Sequence, residues 1–306
     1  MFIEIIKDII LGIVQGLTEF LPVSSSGHLT IAQHMMGMDE AGLFLDVMLH
    51  IGTLIAVFIF YRKLIFRLIK AFGVLIKDVF TGKFKWKTMD EDRNLIVMLV
   101  IGLVPLFLLF LPIPGTGMNI KDLAEMFTGS EYFIVTGIAL LVTSVLLYLG
   151  IHINKKMPLN ESTGLKGRSR YGVLDSVVVG LGQCFAAVFP GLSRSGTTLA
   201  LGEMRGINKQ SALDYTFILG IPSIIAAAVL EVKDLNPSDV SVEMLLPVLC
   251  GVIAAAIMGY FAIVLFKWLL KTDKLSVFVI YTAIMGLIVI AVSIAEMVTG
   301  YKISFI

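Results

Sequence analysis

A chain of 306 residues that is 57% hydrophobic and only 15% charged, with a mean hydropathy of +0.93, lies far from a soluble domain, in which about 25% of residues are charged. Its formal net charge of +1 by itself says nothing about nucleic acid, but no basic patch interleaved with aromatics appears, so no nucleic-acid partner is expected; its two cysteines (Cys184 and Cys250) stand singly in apolar segments with no metal-ligand spacing. The composition is that of an integral membrane protein.

The first residues lack a basic n-region and a small-residue cleavage site, so they read as part of the fold and not as a removable signal peptide. Segment 5–21 is apolar but broken by Gly12, Gln15, Gly16, Thr18 and Glu19, and it stops at Pro22; a second apolar run, 29–38, follows at once. Each is too short or too polar for a span of about 20 apolar residues. Together they predict a re-entrant hairpin, since broken backbone at membrane depth needs protein or a water-filled cavity over it.

Segment 43–60 is a spanning helix that stops at Tyr61-Arg62-Lys63, and a basic amphipathic stretch with Arg67, Lys70, Lys77, Lys83, Lys85, Lys87 and Arg93 follows on the membrane surface. Spans at 95–111 and 132–151 flank a Pro/Gly-rich loop, 112–130, and a basic loop closes the first half. Segments 172–189 and 198–205, with the Arg194 stretch between them, form a second hairpin. Spans at 212–230, 244–266 and 276–298 complete the chain, separated by an acidic loop, 231–243, and by Lys267, Lys271 and Lys274.

The expected fold is therefore one all-α polytopic membrane domain, 1–306, with about six transmembrane helices and two re-entrant hairpins. The positive-inside rule puts the basic loops in the cytoplasm. The two halves, 1–151 and 172–306, then run in inverted topology, joined by the basic cytoplasmic loop 152–171. Repeated spacings agree: Gly12 and Gln15 precede Ser24-Ser25-Ser26-Gly27 as Gly180 and Gln183 precede Ser193-Arg194-Ser195-Gly196, and Asp46 with Gly52 echoes Asp214 with Gly220. Inverted repeats with broken helices place a binding site where the two breaks face each other. Glycines along 251–259 pack within the chain or against a second copy, which leaves a homodimer open.

The chemistry sits in those breaks. Arg194 costs roughly 2.5–3.5 kcal/mol at the centre of a membrane helix, so it needs a cavity or a partner. It is flanked by Ser193, Ser195, Thr198 and the turn glycines Gly191 and Gly196. A guanidinium fork, hydroxyls and the N–H groups of a Gly-rich turn suit phosphate oxygens; a helix-packing patch with a snorkelling arginine is the plainer alternative. In the first break, Gln15 and Glu19 share a helical face. An amide oxygen and a carboxylate there suit a divalent cation, Mg²⁺ or Ca²⁺, shared with substrate phosphates; Glu19 pairing with Arg194 alone is the other reading. Ser24, Ser25 and Ser26 follow, and His28 at the helix start is available for proton transfer at phosphorus.

The stretches from Gly16 to His28 and from Pro190 to Thr198 closely resemble the two signatures of the bacterial undecaprenyl-diphosphate phosphatases, the family linked to bacitracin resistance. The resemblance implies removal of the terminal phosphate of undecaprenyl diphosphate, which recycles the lipid carrier for peptidoglycan and other wall polymers. It also implies a divalent-cation requirement, a multi-pass place in the bacterial cell membrane and an active site open to its outer side. Where the family's first motif carries Glu or Gln, this chain has Gln15, a weaker ligand than a carboxylate, which leaves more to Glu19. The expected roles are a phosphate clamp by Arg194, with Ser193, Thr198 and the Gly191 and Gly196 turns, and a cation held by Glu19 with Gln15. Ser25 is the first choice of nucleophile with His28 as its base or acid; His28 itself and a metal-bound water stay open. A transporter or flippase for a lipid phosphate or other anion is the rival reading, because the same hairpins and clamp would serve it. Whether Asp46, His50 and Asp214 reach the site is not legible at this level.

Overall fold

The computed structural model describes residues 1–38, 43–86, 89–126, 133–161, 164–234 and 241–301. Helix α1 (Phe2–Phe20) turns into α2 (Ser25–Met35), followed by α3 (Leu43–Phe80), α4 (Glu91–Leu103), the short α5 (Ile120–Met126) and α6 (Phe133–Lys155). A two-strand ladder, β1 (Leu159–Asn160) and β2 (Leu165–Lys166), precedes α7 (Val173–Val188), α8 (Arg194–Met204), α9 (Lys209–Asp234), α10 (Val242–Lys271) and α11 (Ser276–Thr299). Among the described residues six helical stretches are long and apolar enough to cross a membrane: Phe44–Phe80, Glu91–Phe110, Phe133–Lys155, Lys209–Lys233, Val242–Lys271 and Ser276–Thr299. The protein is a multi-pass membrane protein, and side chains such as Ile253, Ile257, Phe261, Ile284 and Leu287 form apolar outer faces suited to lipid.

The start of each second helix in the two helix–turn–helix units is set by a serine cap. Ser24 Oγ accepts the N–H of Gly27 at 3.3 Å, and Ser193 Oγ accepts that of Gly196 at 3.0 Å. Capping satisfies an N–H that the helix leaves without an internal partner, so α2 begins at Ser25 and α8 at Arg194, each earlier than apolar patterning alone indicates. Both short helices thus open with their N-termini at the break.

Three other expectations change. The span 43–60 does not end at Tyr61-Arg62-Lys63; α3 continues unbroken for 38 residues to Phe80. Arg, Lys, Leu and Ile are adequate helix formers, so charge alone does not stop the helix, and the chain turns only at Gly82 with φ +66°. The following span is shorter than a regular helix over 95–111, because Pro105 turns its end into a 3₁₀ segment, Val104–Phe110. The all-α description also needs the β1–β2 ladder in the basic loop, where Leu159 pairs with Lys166 and Asn160 with Leu165. The loops 112–130 and 231–243, the start of the span at 132, and Lys87 lie partly or wholly outside the described residues.

Helix contacts use small residues, as expected where lipid supplies no hydrophobic drive between helices. A side chain at Gly12 would strike the Gly251 carbonyl, and one at Gly16 would strike Ala255, so α1 lies directly on α10. The glycines along 251–259 therefore serve contacts within the chain. A side chain at Gly180 would likewise strike the Gly102 carbonyl, bringing α7 against α4. Between α1, α3, α9, α10 and α11 runs an aromatic core: Phe20–Phe217, Tyr61–Phe217, Phe217–Phe266 and Phe266–Phe278 meet edge to face at 5.5, 5.9, 5.7 and 5.3 Å. Such pairs contribute about 0.5–1.5 kcal/mol each beyond area burial.

Candidate functional site

Helical spacing puts Gln15 and Glu19 one above the other on α1, and Pro22 then stops the chain from continuing as helix, so it turns back into α2. That reversal carries Ser25 back to Glu19: Ser25 Oγ donates to Glu19 Oε2 at 2.6 Å. Gln15 Nε2 donates to the same oxygen at 3.1 Å. Arg194, the first residue of α8, donates from Nη2 to the other oxygen, Oε1, which closes an ion pair between the two breaks. The Glu19 side chain is 4% exposed and that of Arg194 21%, so the pair is largely out of solvent. Removing one partner of such a pair strands a charge, at a cost of roughly 3–5 kcal/mol.

The second break is pinned to the first and to α6. Ser195 Oγ donates to the Leu21 carbonyl at 3.0 Å, and the Ser193 N–H donates to Thr143 Oγ1 at 3.0 Å. Gly191 holds φ +93° against α6, where a side chain would meet the backbone of Thr136. Gly220 on α9 leaves the space that the Arg194 guanidinium occupies; any side chain there would collide with Nη1. The guanidinium is thus aimed by packing as well as by charge.

Glu19, Ser24, Ser25, Ser26, Ser193, Arg194 and Ser195 line one cavity, with Ala186 and Leu192 as its apolar wall. Its volume of about 70 Å³ is several times the roughly 10–15 Å³ that one water needs and far below the roughly 300 Å³ at which pockets for drug-sized ligands begin. It admits a small polar group and no isoprenoid.

Several expected members are elsewhere. His28 does not reach Ser25. Its Nδ1 faces the Ser24 carbonyl at 2.8 Å and its Nε2 faces the Tyr281 hydroxyl at 2.7 Å, with the two rings stacked 5.5 Å apart. A carbonyl only accepts, so Nδ1 carries the proton and Nε2 accepts from Tyr281. A helix residue four positions past Ser24 turns toward its own cap, which is why the imidazole points at α11. Thr198 also turns away, donating to the Arg194 carbonyl at 2.9 Å, with the Thr216 hydroxyl 3.1 Å from its Oγ1. The Gly196 N–H is taken by its cap, as above, and Gly191 serves packing.

His50 does arrive. From α3 its Nε2 stands 3.8 Å from Glu19 Oε2, while its Nδ1–H donates to the Asp46 carbonyl at 2.8 Å. A histidine four residues after an aspartate inside an apolar run was the available signal; its proximity to α1 was not readable. Asp214 lies at another place, bound by the Tyr61 hydroxyl at 2.8 Å, Gln210 at 2.8 Å and Lys267 at 3.2 Å. Sequence reasoning had no signal for Tyr281 or Thr143.

As for a divalent cation, no group of three or more His, Cys, Asp or Glu side chains able to hold a metal exists among the described residues. What is present is a buried carboxylate with one buried amide oxygen, Gln15 Oε1, that has no hydrogen-bond partner. A lone carboxylate with an amide oxygen fits an ion that takes its other ligands from substrate phosphate and water, as Mg²⁺ commonly does.

Fold and site together define a multi-pass membrane protein whose two chain breaks meet in a hydroxyl–carboxylate–guanidinium centre. The chain belongs to the family described as bacitracin resistance protein BacA, whose profile matches residues 8–288. It is similar to an undecaprenyl-diphosphatase of Alkaliphilus metalliredigens, with 39% identity over 94% of this chain and 98% of that protein. It is also similar to an undecaprenyl-diphosphatase of Methanobrevibacter smithii, 40% identical over 96% of this chain and 99% of the relative. Undecaprenyl-diphosphatase 4 of Bacillus thuringiensis (strain Al Hakam) is 35% identical over 92% and 94%.

Proposed function

We propose that this protein hydrolyses undecaprenyl diphosphate to undecaprenyl phosphate and inorganic phosphate, returning the carrier lipid to peptidoglycan and cell-wall synthesis and so conferring bacitracin resistance. The observation that carries the reading is the Ser25 hydroxyl donating to Glu19 at 2.6 Å in a small polar cavity, with Arg194 on the other carboxylate oxygen. Full-length relatives carrying the diphosphatase name support it. A transporter needs the clamp but not a hydroxyl held against a buried base.

In the proposed reaction the lipid tail stays in the bilayer and the diphosphate enters the cavity. Ser25 Oγ attacks the terminal phosphorus, Glu19 takes the hydroxyl proton, and the bond to the bridging oxygen breaks to release undecaprenyl phosphate. Water then attacks the phosphoserine, giving up its proton to restore Ser25 and free inorganic phosphate. Transfer at phosphorus depends mainly on positioning and charge neutralisation. Arg194 supplies a fork for the phosphate oxygens, exchanging part of its pairing with Glu19 for them, and the N-termini of α2 and α8 add N–H groups and favourable dipoles. His50 stands where it can relay the proton from Glu19. A divalent cation, Mg²⁺ or Ca²⁺, held by Glu19 and Gln15 Oε1 would add neutralising charge on the phosphates. Ser24, Ser26, Ser193 and Ser195 shape the cavity wall.

The two helix–turn–helix units are read as re-entrant hairpins of an inverted repeat. In support, α1 meets α10 through Gly12 and α7 meets α4 through Gly180, contacts exchanged between the halves, while Ser24 and Ser193 cap corresponding positions. With the basic loops inside, the cavity faces the outer side of the bacterial cell membrane.

The test is phosphate release from undecaprenyl diphosphate by purified protein in detergent, with Mg²⁺, with Ca²⁺ and with chelator. Release that needs the cation and disappears in Ser25→Ala and Glu19→Ala supports the reading. Well-folded protein that binds the lipid without releasing phosphate overturns it in favour of transport.

A further inference from the structure

A second polar cavity, of about 370 Å³, opens between α3, α9 and α10. It is on the order of eleven residues of α3 beyond His50, about 16 Å of helix rise, and its lining shares no residue with the Ser25 cavity. The cations Arg62, Lys63, Arg67 and Lys267 line it, together with Phe60, Tyr61 and the carboxylate of Asp214. Its volume lies within the ligand-pocket range of roughly 300–1,000 Å³.

The charges here are arranged and not merely exposed. Lys267 is held at 3.2 Å from Asp214 and over the rings of Tyr61 and Phe60, 4.7 and 5.2 Å from their centroids. Tyr61 and Gln210 hold Asp214 in turn, each at 2.8 Å, so the one lining carboxylate is already occupied by donors. Arg67 pairs with Asp92 at 3.3 Å with its side chain 65% exposed, and Arg62 spends one N–H on the Ile59 carbonyl at 3.0 Å. Four lining cations against Asp214, and Asp92 beside Arg67, leave the site net positive, and the guanidinium forks keep donors to spare. An aromatic wall beside cations, set between membrane-spanning helices, suits an acidic headgroup whose chain continues into the bilayer.

We propose that this cavity is a second anion site, separate from the catalytic one, that takes a phosphate-bearing ligand through Arg62, Arg67 and Lys267. The phosphate comes from a membrane lipid headgroup or from free phosphate in solution, and the experiment separates the two. Asp214 limits the affinity of the site by holding Lys267 back.

The experiment measures binding of dioctanoyl phosphatidic acid, dioctanoyl phosphatidylcholine and inorganic phosphate to the full chain in detergent. Ser25→Ala serves as the background so that turnover does not intervene. Phosphatidic acid is expected to bind and phosphatidylcholine to bind at least tenfold more weakly. Lys267→Gln, and independently the exposed pair Arg62→Gln with Arg67→Gln, each weaken phosphatidic acid binding about tenfold, whereas Asp214→Asn strengthens it. The Arg62/Arg67 variant guards against a loss that reflects only misfolding at Lys267. With Ser25 restored, that double variant retains turnover of undecaprenyl diphosphate. Inorganic phosphate competing at equal concentration assigns the site to free phosphate; lipid binding at least tenfold tighter assigns it to a headgroup. Equal binding of both lipids, or affinity unchanged in every variant, overturns the proposal.

Discussion

Ser25 and Glu19 are six residues apart, in different helices, and meet at 2.6 Å because the chain reverses between them. Both oxygens of that carboxylate are engaged: one takes Ser25 and Gln15, the other takes Arg194. The buried charge is thereby stabilised by its guanidinium partner and poised next to a hydroxyl. In the proposed reaction that same contact would let Glu19 serve as the base for Ser25.

Glu19→Gln keeps the size of the side chain and its capacity for hydrogen bonds but removes the base. Turnover is expected to fall about 10²–10⁴-fold, the usual contribution of a positioned proton-transfer group. Rapid quench of wild-type protein with ³²P-labelled substrate should show label on Ser25, and Ser25→Ala should show none. Label retained in Ser25→Ala would move the nucleophile elsewhere.

Gly220→Ala tests whether packing aims Arg194. The added methyl would collide with Nη1, so phosphate release should drop at least tenfold, with a thermal midpoint that moves less than in Arg194→Ala. Arg194→Lys should also fail to restore activity, because an ammonium is a point charge and lacks the fork. Normal kcat in Gly220→Ala would show that the guanidinium takes another pose during the reaction.

His28 and Tyr281 form one unit. Leaving a buried donor or acceptor unpaired costs about 1–3 kcal/mol, so Tyr281→Phe and His28→Ala should each lower the thermal midpoint. The double variant should be no worse than His28→Ala alone. Additive losses would mean that His28 has a second task, and the reaction would be the first place to look.

Ser24→Ala and Ser193→Ala should each destabilise by about 1 kcal/mol through loss of an N-cap. Measured turnover per folded molecule should fall as well, since each cap fixes the helix that starts with Ser25 or Arg194. Glycine at either position should behave more mildly, because a glycine cap loses only a few tenths of a kcal/mol. A Ser24→Ala protein with unchanged stability would contradict the capping role.

His50→Gln reads the relay. Its Nε2 stands 3.8 Å from Glu19 Oε2, and glutamine preserves polarity without proton exchange near neutral pH. The expected result is a lower kcat with little change in KM and a changed acid limb of the pH profile. A uniform rise in KM would assign His50 to substrate binding.

The membrane character, most of the spans and the two breaks are legible in the sequence, whereas the pairing of Glu19 with Arg194 stands there only as the alternative to a cation on Glu19. Each follows from local rules: a long apolar run must span, a proline or serine–glycine cluster must interrupt it, and an arginine at membrane depth needs a cavity or a partner. The end of α3 is not legible there, because the charges of Arg62 and Lys63 resemble a stop signal although only Gly82 changes the backbone. What only the tertiary structure decided is which way individual side chains turn at the breaks. His28 stands three positions after Ser25, yet α2 rotates it onto Tyr281, 253 residues away. Ser25 falls to Glu19, and His50 comes to the same carboxylate from α3. Spacing in a chain specifies the face of a helix, but the partner on that face comes from how helices dock. Here close approach at Gly12 and Gly251 seats α1 on α10, and the space left at Gly220 admits Arg194.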